Sequence, residues 1–308
     1  MEKVAARSYC SSANLGSGFD SFGLCLNAFY TDVEISKLTN SSSGNRQWSK
    51  IDNNSTDGDL ITYMTKYVSS VFGIADKLSV RVNSTIPIGK GLGSSGALEV
   101  GICKAISFLY DIQVSDKELI QISSKGEKFI SGSDHKDNVA ASVTGNLSVV
   151  HSDSPLIFSS VKVSGKISFL LIVPEIQESD KTKQNRALLP KTVHFRDSLF
   201  NLRYSNSILM GLQTGSEELI KFGCNDNIVE PARSKKYSFF YEIREICLKN
   251  GALGATLSGA GPSIIVFYRS GESTEKIERY VAEYFSGKNI KVKLIQSSTG
   301  EGVKVEFR

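Results

Sequence analysis

The stretch PIGKGLGSSGALEVGICKAISFL, which begins at Pro87, constrains this chain more than any other. Gly89, Gly91, Gly93 and Gly96, with Ser94 and Ser95 among them, stand directly before an apolar run. The spacing of that run predicts a helix from about Ser95 to Tyr110. Glycines there let the backbone turn its N–H groups toward one point, and the helix adds the positive end of its dipole. The two together make a cradle for phosphate that needs no catalytic side chain. The letters GLGSSG also fit a dinucleotide-binding pattern. Pro87, however, interrupts the strand that should lead into the first glycine, and Asp111 comes too early for the acid expected about 20 residues on. Lys90 precedes the core glycines, so the Gly-Lys-Ser/Thr ending of a P-loop is missing as well.

The rest of the chain bounds the kind of molecule that carries this loop. Its 308 residues allow one large domain or two ordinary ones. A net charge of +4 is small for that length, and no dense Lys/Arg block suggests a nucleic-acid surface. The richest cationic cluster, RSKKY from Arg233, reads as a solvated face. Five cysteines lie scattered without metal-ligand spacing, which points to a reducing, cytoplasmic setting. No apolar run approaches the roughly 18 residues of a membrane span.

Periodicity predicts mixed strands and helices without an internal repeat. EKVAARSY and FYTDVEISKL read as strands, and the small polar run CSSANLGSGFDSFGL between them reads as a loop. TNSSSGNRQWSK reads as a solvent-facing hairpin tip. Asp57 or Asp59 could cap a helix closed by Gly73, and Ser115 with Glu118 resembles a capping box opening one helix through DKELIQISSKGEKFI. KISFLLIVPE is apolar almost throughout, as a buried central strand would be. We place a domain junction within 151–166, giving domains 1–163 and 164–308.

Two further glycine-rich loops accompany the first: SSANLGSGFDSFG, with Asn14 and Asp20, and LSGAGPS, from Leu257. In this order the three resemble the GHMP kinases, a superfamily of small-molecule kinases, over essentially the whole chain from Val4. PIGKGLGSSGA resembles that family's phosphate loop and GALGATLSGAGPS its C-terminal glycine motif. Within the superfamily, SSANLGSGFDSFGLCL, HKDNVAASVTGNL, NRALLP and IVEPAR are similar to the homoserine kinase branch. Ser17 stands where proline is common and Gly96 where alanine is common. SFFYE is a loose version of the usual stretch after the second arginine.

The resemblance implies an α+β fold in two parts. The N-terminal part would resemble the second domain of ribosomal protein S5 and the C-terminal part a ferredoxin-like domain, with the active site between them. It implies transfer of phosphate from Mg-ATP to the side-chain hydroxyl of L-homoserine, and a homodimer. Pro87, Ile88, Gly89, Lys90, Gly91, Leu92, Gly93, Ser94, Ser95, Gly96 and Ala97 would hold the nucleotide, with Ser95 and Glu127 on magnesium.

Residue chemistry agrees with such a substrate. A zwitterion with a hydroxyl needs cations, an anion and amides in one pocket. Arg186 and Arg233 can clamp the carboxylate through forked donors, Asp20 can face the ammonium, and Asn14 and Asn138 can position the hydroxyl. His135 and Asp137 would orient the loop carrying Asn138. A carboxylate stands at the Asn138 position in mevalonate-type members, so an amide there implies phosphoryl transfer without an enzymic base. The alternatives are a sibling kinase for mevalonate, shikimate or another small alcohol, a nucleotide-binding sensor without catalysis and, more distantly, a dehydrogenase.

Overall fold

The computed structural model describes residues 3–38, 57–131, 134–176 and 186–306, so the tip expected at 39–50 lies outside the described residues. The first sheet grows from a long hairpin of β1 (Lys3–Asn14) and β2 (Gly18–Lys37). The run read as a loop is therefore mostly strand. Ser8, Ser11 and Ser12 are fully buried, so sheet pairing and packing override their weak strand preference. The register shifts at Tyr9/Cys10 and Ala13/Asn14, and Asn14, Leu15 and Asp20 take positive φ, so the hairpin bends at its tip.

Next come α1 (Asp57–Val71), which contains Asp59 rather than being capped by it, and β3 (Leu78–Ser84). α2 (Ser94–Leu109) lies where its apolar spacing predicted. Ser115 forms the expected capping box with Glu118, but the helix it opens stops at Ser123. Ser124 caps that end, so one predicted helix becomes α3 (Asp116–Ser123) and α4 (Lys125–Ser131). α5 (Asp137–Thr144), β4 (Leu147–Asp153) and β5 (Leu156–Val161) follow. Much of the 151–166 stretch is thus a strand pair, and the chain passes to a second sheet between Val161 and Ile167.

The second sheet contains β6 (Ile167–Pro174), β7 (Gly254–Leu257), β8 (Ile264–Arg269) and β9 (Val292–Ser297). Between β6 and β7 run α6 (Phe195–Thr214), α7 (Glu217–Gly223), α8 (Val229–Ser234) and α9 (Phe240–Lys249); α10 (Glu275–Gly287) joins β8 to β9. The antiparallel order β7-β8-β6-β9, with helices in both crossovers, is the ferredoxin-like arrangement. β6 is buried on both faces, which explains its unbroken apolar run. Phe169, Leu171 and Val173 join the core shared with the first sheet, while Leu170 and Ile172 join the one beneath α9 and α10. A third core fills the space between the first sheet and α1 and α2, around Met64, Val100 and Ile106. β10 (Lys304–Glu306) then returns to pair with β1, at Ala5–Arg7. The molecule is α+β. Among the described residues no helix is long and apolar enough to cross a membrane.

Candidate active site

The three glycine loops meet backbone to backbone. Ser11 N–H donates to the Leu92 carbonyl (3.1 Å), Gly259 N–H to that of Ala13 (3.1 Å) and Ser258 Oγ to that of Gly91 (2.7 Å). This contact needs glycine. A Cβ on Gly91, at φ +73°, would lie 2.1 Å from the Ser258 carbonyl oxygen. One on Gly93, at φ +66°, would lie 2.2 Å from Ser11 Oγ and 3.0 Å from Asn138 Oδ1.

Gly93 is also the N-cap of α2, with no side-chain cap and no acid in the first turn. The orphan N–H groups of that turn, together with the helix dipole, are available to an anion. Leu92 and Ala97 bury their side chains in the core, so they can serve a ligand only through the backbone. Ile88 is half exposed, and Lys90 Nζ donates to the Ile176 carbonyl.

At the same helix mouth, Ser95 Oγ donates to Glu127 Oε1. Burial pushes the Glu127 carboxyl up, and the Ser95 hydroxyl offsets only part of that. A buried carboxylate beside a hydroxyl is a hard oxygen donor set, which suits magnesium. Glu99, one turn further along α2, is fully buried against Gly126, and burial raises its carboxyl well above the usual range.

The predicted substrate residues fall into two linked groups. In the first, Arg186 Nη2 donates to Asp20 Oδ2, and His135 Nδ1 lies 2.7 Å from that nitrogen and 3.3 Å from Asp20 Oδ1. Burial works to raise Asp20, but His135 and Arg186 hold it below the ordinary carboxylate range. Burial would lower His135, yet Asp20 raises it overall. In the second group, Asn14 Nδ2 (3.0 Å) and Arg233 Nη1 (2.6 Å) both donate to the Gly259 carbonyl. Arg233 is 5% exposed, so the solvated face read for RSKKY does not include it. A cavity of about 670 Å³ opens beside the first group, lined by Asp20, His135 and Arg186 together with Lys125, Asp134 and Lys136.

Asn138 sits between these groups and the helix mouth. Its Oδ1 accepts from Ser11 Oγ (2.9 Å), and its N–H donates to Asp137 Oδ1 (2.8 Å). Burial, reinforced by the charge of Asp20, pushes the Asp137 carboxyl up to about 6.

Several supporting residues escaped the sequence reading. Ser11 fixes the Asn138 amide. Asp226 accepts the N–H groups of Ile228, Val229 and Glu230 at the start of α8 and that of Asn201 Nδ2 from α6. Glu230 Oε1 takes the Leu257 N–H (2.8 Å), steadying the third glycine loop. Phe19 lies against both arginines, with Arg186 Cζ 5.5 Å and Arg233 Cζ 5.3 Å from its ring centre. Ser11 and Phe19 stood inside a quoted motif, but neither residue type announces chemistry by itself.

Comparison with known proteins agrees with this geometry. Residues 59–146 match the model of the GHMP kinases N-terminal domain and residues 213–287 that of the GHMP kinases C-terminal domain. A homoserine kinase of Saccharolobus islandicus is 38% identical over 314 residues, covering 100% of both chains. The crystal structure of homoserine kinase from Cytophaga hutchinsonii superposes with a TM-score of 0.87 at 26% identity, covering 99% of this chain and 98% of that one. The mevalonate diphosphate decarboxylase of Enterococcus faecalis shares the fold at a TM-score of 0.68 and 16% identity, over 99% of each chain. The chain belongs to the homoserine kinase family of the GHMP kinases.

Proposed function

We propose that this protein transfers the γ-phosphoryl group of ATP to the side-chain hydroxyl of L-homoserine, releasing ADP and O-phospho-L-homoserine. The observation that carries this reading is the placement of Asn138 against the uncapped mouth of α2, with Asp20, Arg186 and Arg233 grouped nearby. The α-carboxylate would lie against the guanidinium groups of Arg186 and Arg233. The ammonium would face Asp20, which is ionised at neutral pH. Ser11 occupies Asn138 Oδ1 and the amide NH₂ gives one N–H to Asp137 Oδ1 (3.4 Å), so its second N–H would meet the hydroxyl oxygen.

Phosphates would rest on the N–H groups of Gly93–Ser95, where the α2 dipole favours their charge. Magnesium would be held by Ser95 Oγ and Glu127, where it would neutralise charge on the triphosphate. The hydroxyl oxygen forms the new bond to phosphorus as the bond to the ADP oxygen breaks. An amide cannot take the hydroxyl's proton at neutral pH, and Asp137 Oδ1 is engaged by the Asn138 N–H. The proton would leave to a phosphate oxygen or water. Such a loose transition state needs little base assistance, and fixing the reactants can contribute about 7–11 kcal/mol.

We also place the reaction in the cytoplasm, a reading supported by five free, buried cysteines. The homodimer implied by the family is checked by light scattering on the purified chain. For activity, ADP release with Mg-ATP is measured across L-homoserine, mevalonate, shikimate and related alcohols. L-Homoserine should give the highest kcat/KM. Preference for an acid without an amine would overturn the substrate, and no turnover with any alcohol would favour a nucleotide sensor.

A further inference from the structure

Arg186 and Arg233 both lie against the Phe19 ring, and among the described residues only Arg186 of the two pairs with a carboxylate at ion-pair distance. Arg186 donates to Asp20. Arg233 is buried, donates through Nη1 to the neutral Gly259 carbonyl, and has an Nε without a partner. Burial opposes its charge; Asp20, Asp137 and Asp226 attract it from beyond ion-pair distance, and a ring against it is a further source of compensation. Phe19 is the group both cations touch, at 5.5 Å for Arg186 and 5.3 Å for Arg233. Both distances lie within the range at which the electron-rich face of a ring attracts a cation. The ring stands at the bent hairpin tip, next in the chain to Asp20, whose φ of 56° holds the turn. Asn14 ties the same tip to Gly259.

We infer that Phe19 is a positioning residue for the substrate carboxylate: its ring holds the Arg186 and Arg233 guanidinium groups in place to receive it. This rests on the carboxylate clamp proposed above. The ring's quadrupole adds to the attraction that Asp20, Asp137 and Asp226 exert on Arg233, so that little side-chain ordering remains when the carboxylate binds. Phe19 makes no contribution to the transfer step. Its removal should therefore appear in KM for the amino acid and leave both kcat and KM for ATP near wild type.

The test replaces Phe19 with mono-, di- and trifluorinated phenylalanine, which keep the ring's shape while draining its face of electron density. KM for L-homoserine should climb stepwise along the series, reaching about tenfold, the size of one desolvated cation–ring contact. Phe19→Tyr should stay near wild type, and Phe19→Leu should match or exceed the trifluorinated protein. A flat fluorinated series would overturn the inference, because a ring that only fills space is indifferent to fluorine. The fluorinated proteins preserve packing, so the test stands even if Phe19→Leu does not fold. Failure of the wild-type protein to use L-homoserine would sink the substrate reading alone. The series would then be read on whichever carboxylate-bearing alcohol the substrate panel selects.

Discussion

At the scale of single residues, the mechanism proposed above fixes polar atoms rather than supplying a strong acid or base. Ser11 and Asn138 illustrate the difference between touching a substrate and orienting what touches it. Asn138→Ala should lower kcat for L-homoserine about 100-fold, the cost of misplacing a reacting group by roughly an ångström. Ser11→Ala leaves the amide held only by its Nδ2 contact to Asp137 Oδ1 (3.4 Å), so the loss should be smaller, about tenfold, with KM for ATP unchanged. Steady-state kinetics on the two variants decide this. No loss in Ser11→Ala, which keeps the backbone N–H bond to Leu92, would mean that the hydroxyl does not orient the amide. Asn138 was named from its motif, and the structure sets it beside Gly93 at the mouth of α2. Ser11 was not, because its role depends on a partner 127 residues away. Phe19 was hidden for a related reason: an aromatic residue in a motif reads as core until two cations are found against it.

Among the elements, the loops and helices that carry the site are held by contacts running between distant parts of the sequence. The mouth of α2 was readable from the glycines alone, since their left-handed backbone and the following apolar period are local properties. The hairpin of β1 and β2 was misread, since serine, alanine and glycine say little about strands until a sheet buries them. α8 is too short to stand by itself and depends on Asp226, whose carboxylate collects the first N–H groups of the helix and ties it to α6. Asp226→Ala should cost about 1–3 kcal/mol of stability in urea titrations, and should raise KM for L-homoserine by releasing Arg233 from its position. A destabilised variant with unaltered KM would show that α8 keeps Arg233 in place without this cap.

For the whole molecule, buried carboxyls give stability a definite dependence on pH. Burial lifts Asp137 to about 6 and Glu230 to about 8, each well above its value in an unfolded chain. The folded state therefore binds these protons more tightly. The stability they contribute is full below about pH 4 and is lost as pH rises through about 6 for Asp137 and about 8 for Glu230. His135, raised by Asp20, acts in the same direction as pH passes its own folded value. Asp20 and Asp134 are held low and oppose the trend only in acid, below the usual carboxylate range. Stability, read as the melting temperature, should thus fall between about pH 4 and 8, at up to about 1.4 kcal/mol per pH unit for each group. Glu230→Gln keeps an acceptor for the Leu257 N–H and should flatten the upper part of the slope. Thermal melts of both proteins across that range check the sign, and parallel curves would remove Glu230 from the account.

The return of β10 to β1 also orders events in time. Residues 304–306 cover the hydrogen-bonding edge at Ala5–Arg7, almost the full length of the chain away. On a growing polypeptide that edge stands bare while the whole second sheet is being made, and an uncovered strand invites the wrong partner. The half that would grip the nucleotide is among the first to be synthesised and among the last to be sealed.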